Sequence, residues 1–133
     1  MKKFETNYIL LCDHAALDSG GKMNINGVFD IIYSKNFPTF HPKAFLVGNF
    51  KVSDQTTKEV MLTIELIDPE GNKLGKDTNM NIKFLEGREK RANFILEING
   101  IQFSKPGEYK FVISADSKEN LGEYKFQVIK PQE

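Results

Sequence analysis

The sequence predicts an all-β domain: an antiparallel, two-sheet sandwich of immunoglobulin-like type with about eight strands. Along most of the 133 residues, apolar and polar side chains alternate with a period of two, which is typical of strands that bury one face. Glycine or proline turns separate these segments at roughly regular spacing. Residues 107–111 and 122–126 repeat the motif Gly-Glu-Tyr-Lys-Phe. We interpret each copy as a turn that opens one strand of a C-terminal hairpin.

The first strand is predicted around residues 9–14, where odd and even positions face opposite ways. Asp13 then shares a face with Ile9 and Leu11. We expect this carboxylate to be partly buried and satisfied by turn backbone, because a buried carboxylate needs donors. A glycine turn at 18–21 leads into the second predicted strand.

The second strand is predicted as one continuous element over residues 22–33, although apolar residues fall on both of its faces. Segment 37–42 breaks the alternation because its two prolines cannot donate to a strand ladder. We interpret this segment as a connection, which could cross between the sheets. The remaining strands are predicted over 43–52, 58–67, 73–84, 88–98, 108–115 and 123–129, with a turn at 68–72.

Tyr109 follows Pro106 and Gly107 at the start of the last hairpin. This position favours a tyrosine corner, in which the hydroxyl group binds upstream backbone and ties down the strand start. The cysteine and tryptophan markers of immunoglobulin domains are absent from the sequence.

Composition narrows the class of protein. Eighteen basic residues balance eighteen acidic ones, and only two are arginines, Arg88 and Arg91. We therefore expect neither nucleic acid nor a membrane as a partner. The apolar run near the N-terminus of the sequence is shorter than the core of a signal peptide, and no apolar stretch approaches the length of a membrane span. With one cysteine, an intramolecular disulfide is excluded. We expect a single domain over residues 1–133 that is soluble and cytoplasmic.

Residue types that bind metals or act in catalysis occur at Cys12, Asp13, His14 and His41. Cys12 and His14 would point the same way on a strand, yet the paired-cysteine spacing of a closed zinc site is missing. No oxyanion-hole motif accompanies the thiol. We therefore predict no catalytic residues, no metal and no cofactor, and we expect that the protein is not an enzyme.

Candidate binding residues lie around the proline-rich connection: Tyr33, Phe37, Phe40 and His41. Loops carry function more often than strands do, so these rings could dock a partner or a flat ligand. A second interpretation is that they close one end of the hydrophobic core. Seven apolar residues fall on positions predicted to face solvent: Val28, Ile32, Met61, Ile67, Ile95, Val112 and Ile129.

A contiguous patch of such residues would mark an interface, and we take Val28, Ile32 and Ile95 as its candidate members. An exposed strand edge beside the Tyr33–Pro42 connection could also add a partner's strand by backbone hydrogen bonds.

Several short motifs together resemble a widespread family of small, single-domain bacterial proteins classed as a domain of unknown function. They are LLCDHA at 10–15, GGKMNI at 20–25, GVFD at 27–30, FP and HP at 37–42, DPEG at 68–71 and PGEY at 106–109. The resemblance covers nearly the whole chain. It implies a compact all-β domain with no assigned activity, so no functional residue is carried over.

These observations predict a non-enzymatic protein-interaction or self-association module, with a homo-oligomer or a protein as its partner. The alternative is a small-ligand domain that binds a sugar or nucleotide through its loop aromatics. A third hypothesis is a cysteine- or metal-dependent enzyme.

Overall fold

A computed structural model describes residues 3–54, 56–84 and 90–132. This part of the chain contains strands and no helix, which confirms the all-β prediction, although eleven strands are present rather than about eight. The strands are β1 (Phe4–Leu17), β2 (Met23–Val28), β3 (Ile31–Tyr33), β4 (Thr39–His41), β5 (Ala44–Val52), β6 (Glu59–Ile67), β7 (Thr78–Lys83), β8 (Arg91–Ile98), β9 (Ile101–Phe103), β10 (Gly107–Ala115) and β11 (Glu119–Ile129).

The strands form a four-stranded sheet in the order β2-β1-β5-β8 and a five-stranded sheet in the order β3-β11-β10-β6-β7, with β4 and β9 as a separate ribbon. Adjacent strands are antiparallel except β3 and β11, which are parallel. One hydrophobic core joins the two larger sheets, and its members include Leu11 and Phe94 from the first and Leu62 and Phe126 from the second.

The predicted tyrosine corner is confirmed. Tyr109 is 1% exposed, and its hydroxyl donates to the carbonyl oxygen of Lys105 at 2.7 Å. Tyr124, the tyrosine of the second Gly-Glu-Tyr-Lys-Phe copy, makes a related bond to the carbonyl oxygen of Phe29 at 2.7 Å. Burial raises the pKa of both hydroxyl groups. The repeated motif therefore supplies two tyrosines that tie a backbone carbonyl to the C-terminal hairpin, a local one at Lys105 and a distant one at Phe29.

The continuous strand predicted over 22–33 is wrong. β2 ends at Val28 in the four-stranded sheet, and β3 begins at Ile31 in the five-stranded sheet. Gly27 has a φ of 72°, a conformation that glycine adopts without steric cost. The chain thus changes sheets just before Ile31, where Tyr124 holds the Phe29 carbonyl. Because the two halves of segment 22–33 pack in different sheets, apolar residues occur on both of its predicted faces.

Several strand boundaries also differ from those predicted. The connection at 37–42 contains β4, which pairs with β9, a strand that the sequence pattern did not indicate. Gly122 lies inside β11, and the hairpin turn is made by Asp116 and Ser117, whose φ angles are 53° and 57°. Short polar residues tolerate this left-handed conformation in tight hairpins. The predicted start of the 88–98 strand at Arg88 lies outside the described residues.

The turn predicted at 68–72 is confirmed between β6 and β7. The Asp68 Oδ1 atom accepts hydrogen bonds from the backbone N–H groups of Glu70 and Asn72, both at 2.9 Å. Gly71 N–H donates to the Asp68 carbonyl oxygen at 3.0 Å. This side chain satisfies backbone donors at the turn, as aspartate commonly does in such turns.

Candidate functional site

The four-stranded sheet is apolar on both of its faces. In β5, five consecutive residues from Ala44 to Gly48 are buried. Ala44 and Leu46 belong to the main core. Phe45 and Val47, which point to the opposite face, form a second cluster with Cys12 and Ala15. A sheet with one face in water would alternate apolar and polar residues instead.

The register of the strands aligns the second cluster in rows. Leu10, Val47 and Ile95 are paired across β1, β5 and β8. Cys12 is paired with Val28 on one side and with Phe45 on the other. Directly paired residues of antiparallel strands share a face. We call this surface the outer face. It comprises the second cluster with the apolar residues packed against it, which are Tyr8, Leu10, Cys12, Ala15, Met23, Ile25, Phe45, Val47 and Ile95, and Val28, which is paired with Cys12.

Hydrogen-bonded asparagines border the outer face on one side. The Asn7 amide donates to Asn49 Oδ1 at 2.5 Å, and the Asn49 amide donates to Asn93 Oδ1 at 2.6 Å. Beyond this ladder, Lys51 Nζ lies 3.3 Å from Glu5 Oε2. The apolar centre is thus followed by a polar and then a charged row.

At the opposite end of the outer face, Lys43 Nζ lies 2.8 Å from Glu97 Oε1 and 5.5 Å from the centre of the Phe45 ring. The hydrogen bond from Lys43 lowers the pKa of the Glu97 carboxyl group. Each end of the face therefore presents one positive and one negative side chain.

Cys12 and His14 both contact Phe45, as their shared face requires. The Cys12 sulfur lies 3.5 Å from the carbonyl oxygens of His14 and Phe45, and the His14 ring centre lies 5.1 Å from that of Phe45. Burial raises the pKa of the Cys12 thiol, which disfavours the reactive thiolate. Among the described residues, no three side chains of metal-ligating type come together.

The expected partial burial of Asp13 is wrong, since this residue is exposed. Its carboxylate lies over Gly27, where a Cβ atom would come within 2.9 Å of Asp13 Cγ. Asp13 is therefore placed beside the irregular end of the edge strand β2 rather than over the core.

The four aromatic candidates do not form one exposed surface. Tyr33 and Phe40 are each 65% exposed, but Tyr33 lies in the five-stranded sheet and Phe40 in the β4–β9 ribbon. Phe37 packs against the main core. The His41 ring lies 5.6 Å from that of Phe29, and its buried Nε2 atom has no hydrogen-bond partner among the described residues. Phe37 therefore fits the interpretation that these rings close an end of the core.

The three interface candidates are also divided between sheets. Val28, which is 53% exposed, and Ile95 lie on the outer face. Ile32 lies on β3 in the other sheet, where its side chain is partly buried and packs against the main core. Met61, at 41% exposure, lies on β6 of that same sheet. Val28 and Ile95 therefore share a surface from which Ile32 is absent.

A cavity of about 350 Å³ opens between the two larger sheets. Ile64, Leu66 and Phe111 line it from the five-stranded sheet, and Leu96 and Ile98 line it from β8. The connection between β6 and β7 contributes Lys76, and β9 contributes Gln102. Sequence reasoning missed this site because its walls come from segments far apart in the chain. In the part of the chain that the structure describes, no helix has the length and apolar character needed to cross a membrane.

Comparisons with known proteins give a family and a fold. A family model described as "Family of unknown function (DUF6941)" matches residues 7–129. No curated protein matches the chain. Among solved structures, the DNA glycosylase AlkC of Pseudomonas fluorescens aligns with a TM-score of 0.51 at 11% identity, over 95% of this chain and 30% of that one.

Two further solved structures are similar to this chain. A β-glucosidase of Listeria innocua aligns with a TM-score of 0.54 at 7% identity, over 95% of this chain and 16% of that one. An immunoglobulin-like protein of Pseudomonas aeruginosa aligns with a TM-score of 0.44 at 12% identity, over 96% and 98% of the two chains. The chain spans less than a third of the glycosylase and of the glucosidase. At these identities, likeness extends to fold and not to activity.

Proposed function

This chain belongs to the DUF6941 family of unknown function, and we propose that it is a non-enzymatic module that self-associates through its outer face. We take the two larger sheets as the layers of an immunoglobulin-like sandwich, a description that the Tyr109 corner supports. A single buried cysteine is in keeping with the cytoplasm as its location. The second copy docks on the surface that contains Val28 and Ile95.

The observation that carries this proposal is the continuous apolar run of residues 44–47 on β5, which is bordered on the outer face by apolar side chains that keep contact with water, among them Val28 at 53% exposure. Continuous apolar strands are typical of sheets covered on both faces. Within the chain, the main core covers one face of this sheet. On the other face, Leu10 and Ile95 are only partly buried around Val47. A surface of this kind is stabilised when another apolar surface removes it from water.

The size of the outer face suits a second copy of the chain. Four strands at a spacing of about 4.8 Å are about 19 Å wide, and nine residues extend for about 30 Å, so the projected area is roughly 600 Å². Specific interfaces bury about 800 Å² on each partner, and transient ones bury less. We therefore expect a homodimer with an interface of less than standard size, of the kind that transient complexes have.

Charge also favours self-association. The net charge of the chain is zero, so two copies do not repel each other as whole molecules. Each end of the outer face carries a lysine beside a glutamate, Lys43 with Glu97 and Lys51 with Glu5. In a two-fold contact, each end of the outer face lies against either the same end or the opposite end of the second copy. In both arrangements, a lysine of one copy can face a glutamate of the other.

Sedimentation velocity over a concentration series tests the proposal on the full-length protein. The test variant carries Val28→Lys and Ile95→Lys, which would place unpaired ammonium groups in the contact. The control is Met61→Lys, because Met61 is similarly exposed but lies in the other sheet. Near-native circular dichroism and melting temperature must be verified for every variant.

We expect concentration-dependent dimerisation of the wild type and of Met61→Lys, and dimerisation weakened about a hundredfold in the double variant. A wild type that stays monomeric at every concentration would overturn the proposal. Equal dimerisation by all three proteins would likewise show that another surface makes the contact.

A further inference from the structure

We infer that the cavity between the two larger sheets is a binding site for a small amphipathic monocarboxylate, such as a medium-chain fatty acid. This inference is independent of self-association, because the cavity lies between the sheets and the outer face lies on the opposite side of the four-stranded sheet. Its volume of about 350 Å³ is at the lower end of the range for small-molecule sites.

The walls of the cavity define the body of the ligand. Ile64 and Phe111 are buried at its base, and Leu66, Leu96 and Ile98 remain only partly covered. These side chains come from both sheets, so a ligand between them would complete the core at this end. Aliphatic walls favour a hydrocarbon chain. The polar side chains of the lining are Lys76, Thr78 and Gln102, fewer than the several hydroxyl groups of a sugar need.

The mouth of the cavity defines the head group. Lys76 is the only charged side chain in the lining, and it makes no ion pair within the described residues. The nearby acidic groups are engaged elsewhere, because Lys73 Nζ lies 3.1 Å from Asp77 Oδ2 and 3.8 Å from Glu65 Oε2. An exposed ammonium group above an apolar cavity complements a single carboxylate.

Phe40 connects this site with the aromatic residues noted in the sequence. Its ring lies against Gly100, which lines the cavity, and a Cβ atom at Gly100 would come within 2.7 Å of Phe40 Cζ. Phe40 is 65% exposed, an unfavourable position for a bare phenyl ring. A ligand tail that reaches beyond Gly100 would cover part of it.

Calorimetric titration of the full-length protein with decanoate tests the inference, with decanol as the uncharged probe of the same chain length. The variants are Lys76→Gln and Lys76→Glu, and Lys118→Gln is the matched control because Lys118 is an exposed lysine outside the cavity lining. Chemical shifts of the Ile64 and Leu96 methyl groups locate the ligand. All titrations stay below the micellar concentration of decanoate.

We expect saturable decanoate binding, about 3- to 5-fold weaker in Lys76→Gln and about tenfold weaker in Lys76→Glu. Lys118→Gln should leave decanoate binding unchanged, and decanol binding should not depend on Lys76. The inference is overturned by an absence of saturable decanoate binding below about 1 mM. It is also overturned if Lys76→Glu binds decanoate as tightly as wild type, or if the shifts fall outside the cavity.

Discussion

Removal of the Tyr109 hydroxyl group tests how the C-terminal hairpin is anchored. In Tyr109→Phe, the ring keeps its contacts with Phe103 and Phe126 at centre distances of 4.8 and 5.9 Å. Only the 2.7 Å hydrogen bond to the Lys105 carbonyl is lost. A bond of this kind contributes about 1 to 1.5 kcal/mol to the free energy of unfolding. We therefore expect the urea midpoint to fall by about 0.5 to 1 M.

Tyr124→Phe is the matched comparison, because its hydroxyl makes a bond of the same length to the Phe29 carbonyl. The pH dependence adds an independent readout. Burial raises the folded-state pKa of both tyrosines, so each contributes stability that is present below the unfolded pKa of about 10 and is lost above it. Each variant should lose less stability than wild type between neutral pH and pH values above about 10. A midpoint unchanged in both variants would refute the reasoning.

Three further changes have expected outcomes. Gly48→Ala should lower the free energy of unfolding by about 2 to 3 kcal/mol, because its Cβ would lie 2.6 Å from Cζ of Phe94; Gly20→Ala, which has ordinary space, should cost far less in the same urea melts. Native Cys12 should resist alkylation at pH 8 until the protein is denatured, because burial raises its pKa, and rapid native alkylation would contradict this. His41→Phe should leave the melting temperature unchanged or raise it, since it removes a buried nitrogen without a partner; a large drop would show that this nitrogen is satisfied.

Local physical rules account for the parts of the fold that sequence analysis predicted. Alternation along 58–67 predicts that Val60, Leu62, Ile64 and Leu66 face inward; the first three are buried, and Leu66 is partly buried against the core. The Asp68 turn and the Tyr109 corner depend on residues within four positions of each other. Such features can be predicted from the sequence because they depend only on residues that are close together in the chain.

The features that the sequence analysis mispredicted or missed depend on contacts between segments far apart in the chain. The crossing between β2 and β3 depends on which sheet each half of 22–33 packs against, a property of the whole fold. Gly122 has the same sequence context as Gly107, yet it lies within β11 because Asp116 and Ser117 make the turn. The outer face contains two of the three predicted interface residues, Val28 and Ile95, whereas Ile32 lies in the other sheet, a placement that its local sequence does not indicate. The cavity requires five segments of the chain to be positioned first.

Native mass spectrometry of the wild-type protein at tens of micromolar tests the central claim most directly. The account predicts a species with the mass of two 15.2 kDa chains that disappears in the Val28→Lys, Ile95→Lys variant and persists in Met61→Lys. A single-chain mass for the wild type at that concentration would contradict the account, because Val28, Leu10 and Ile95 would then keep their contact with water in solution.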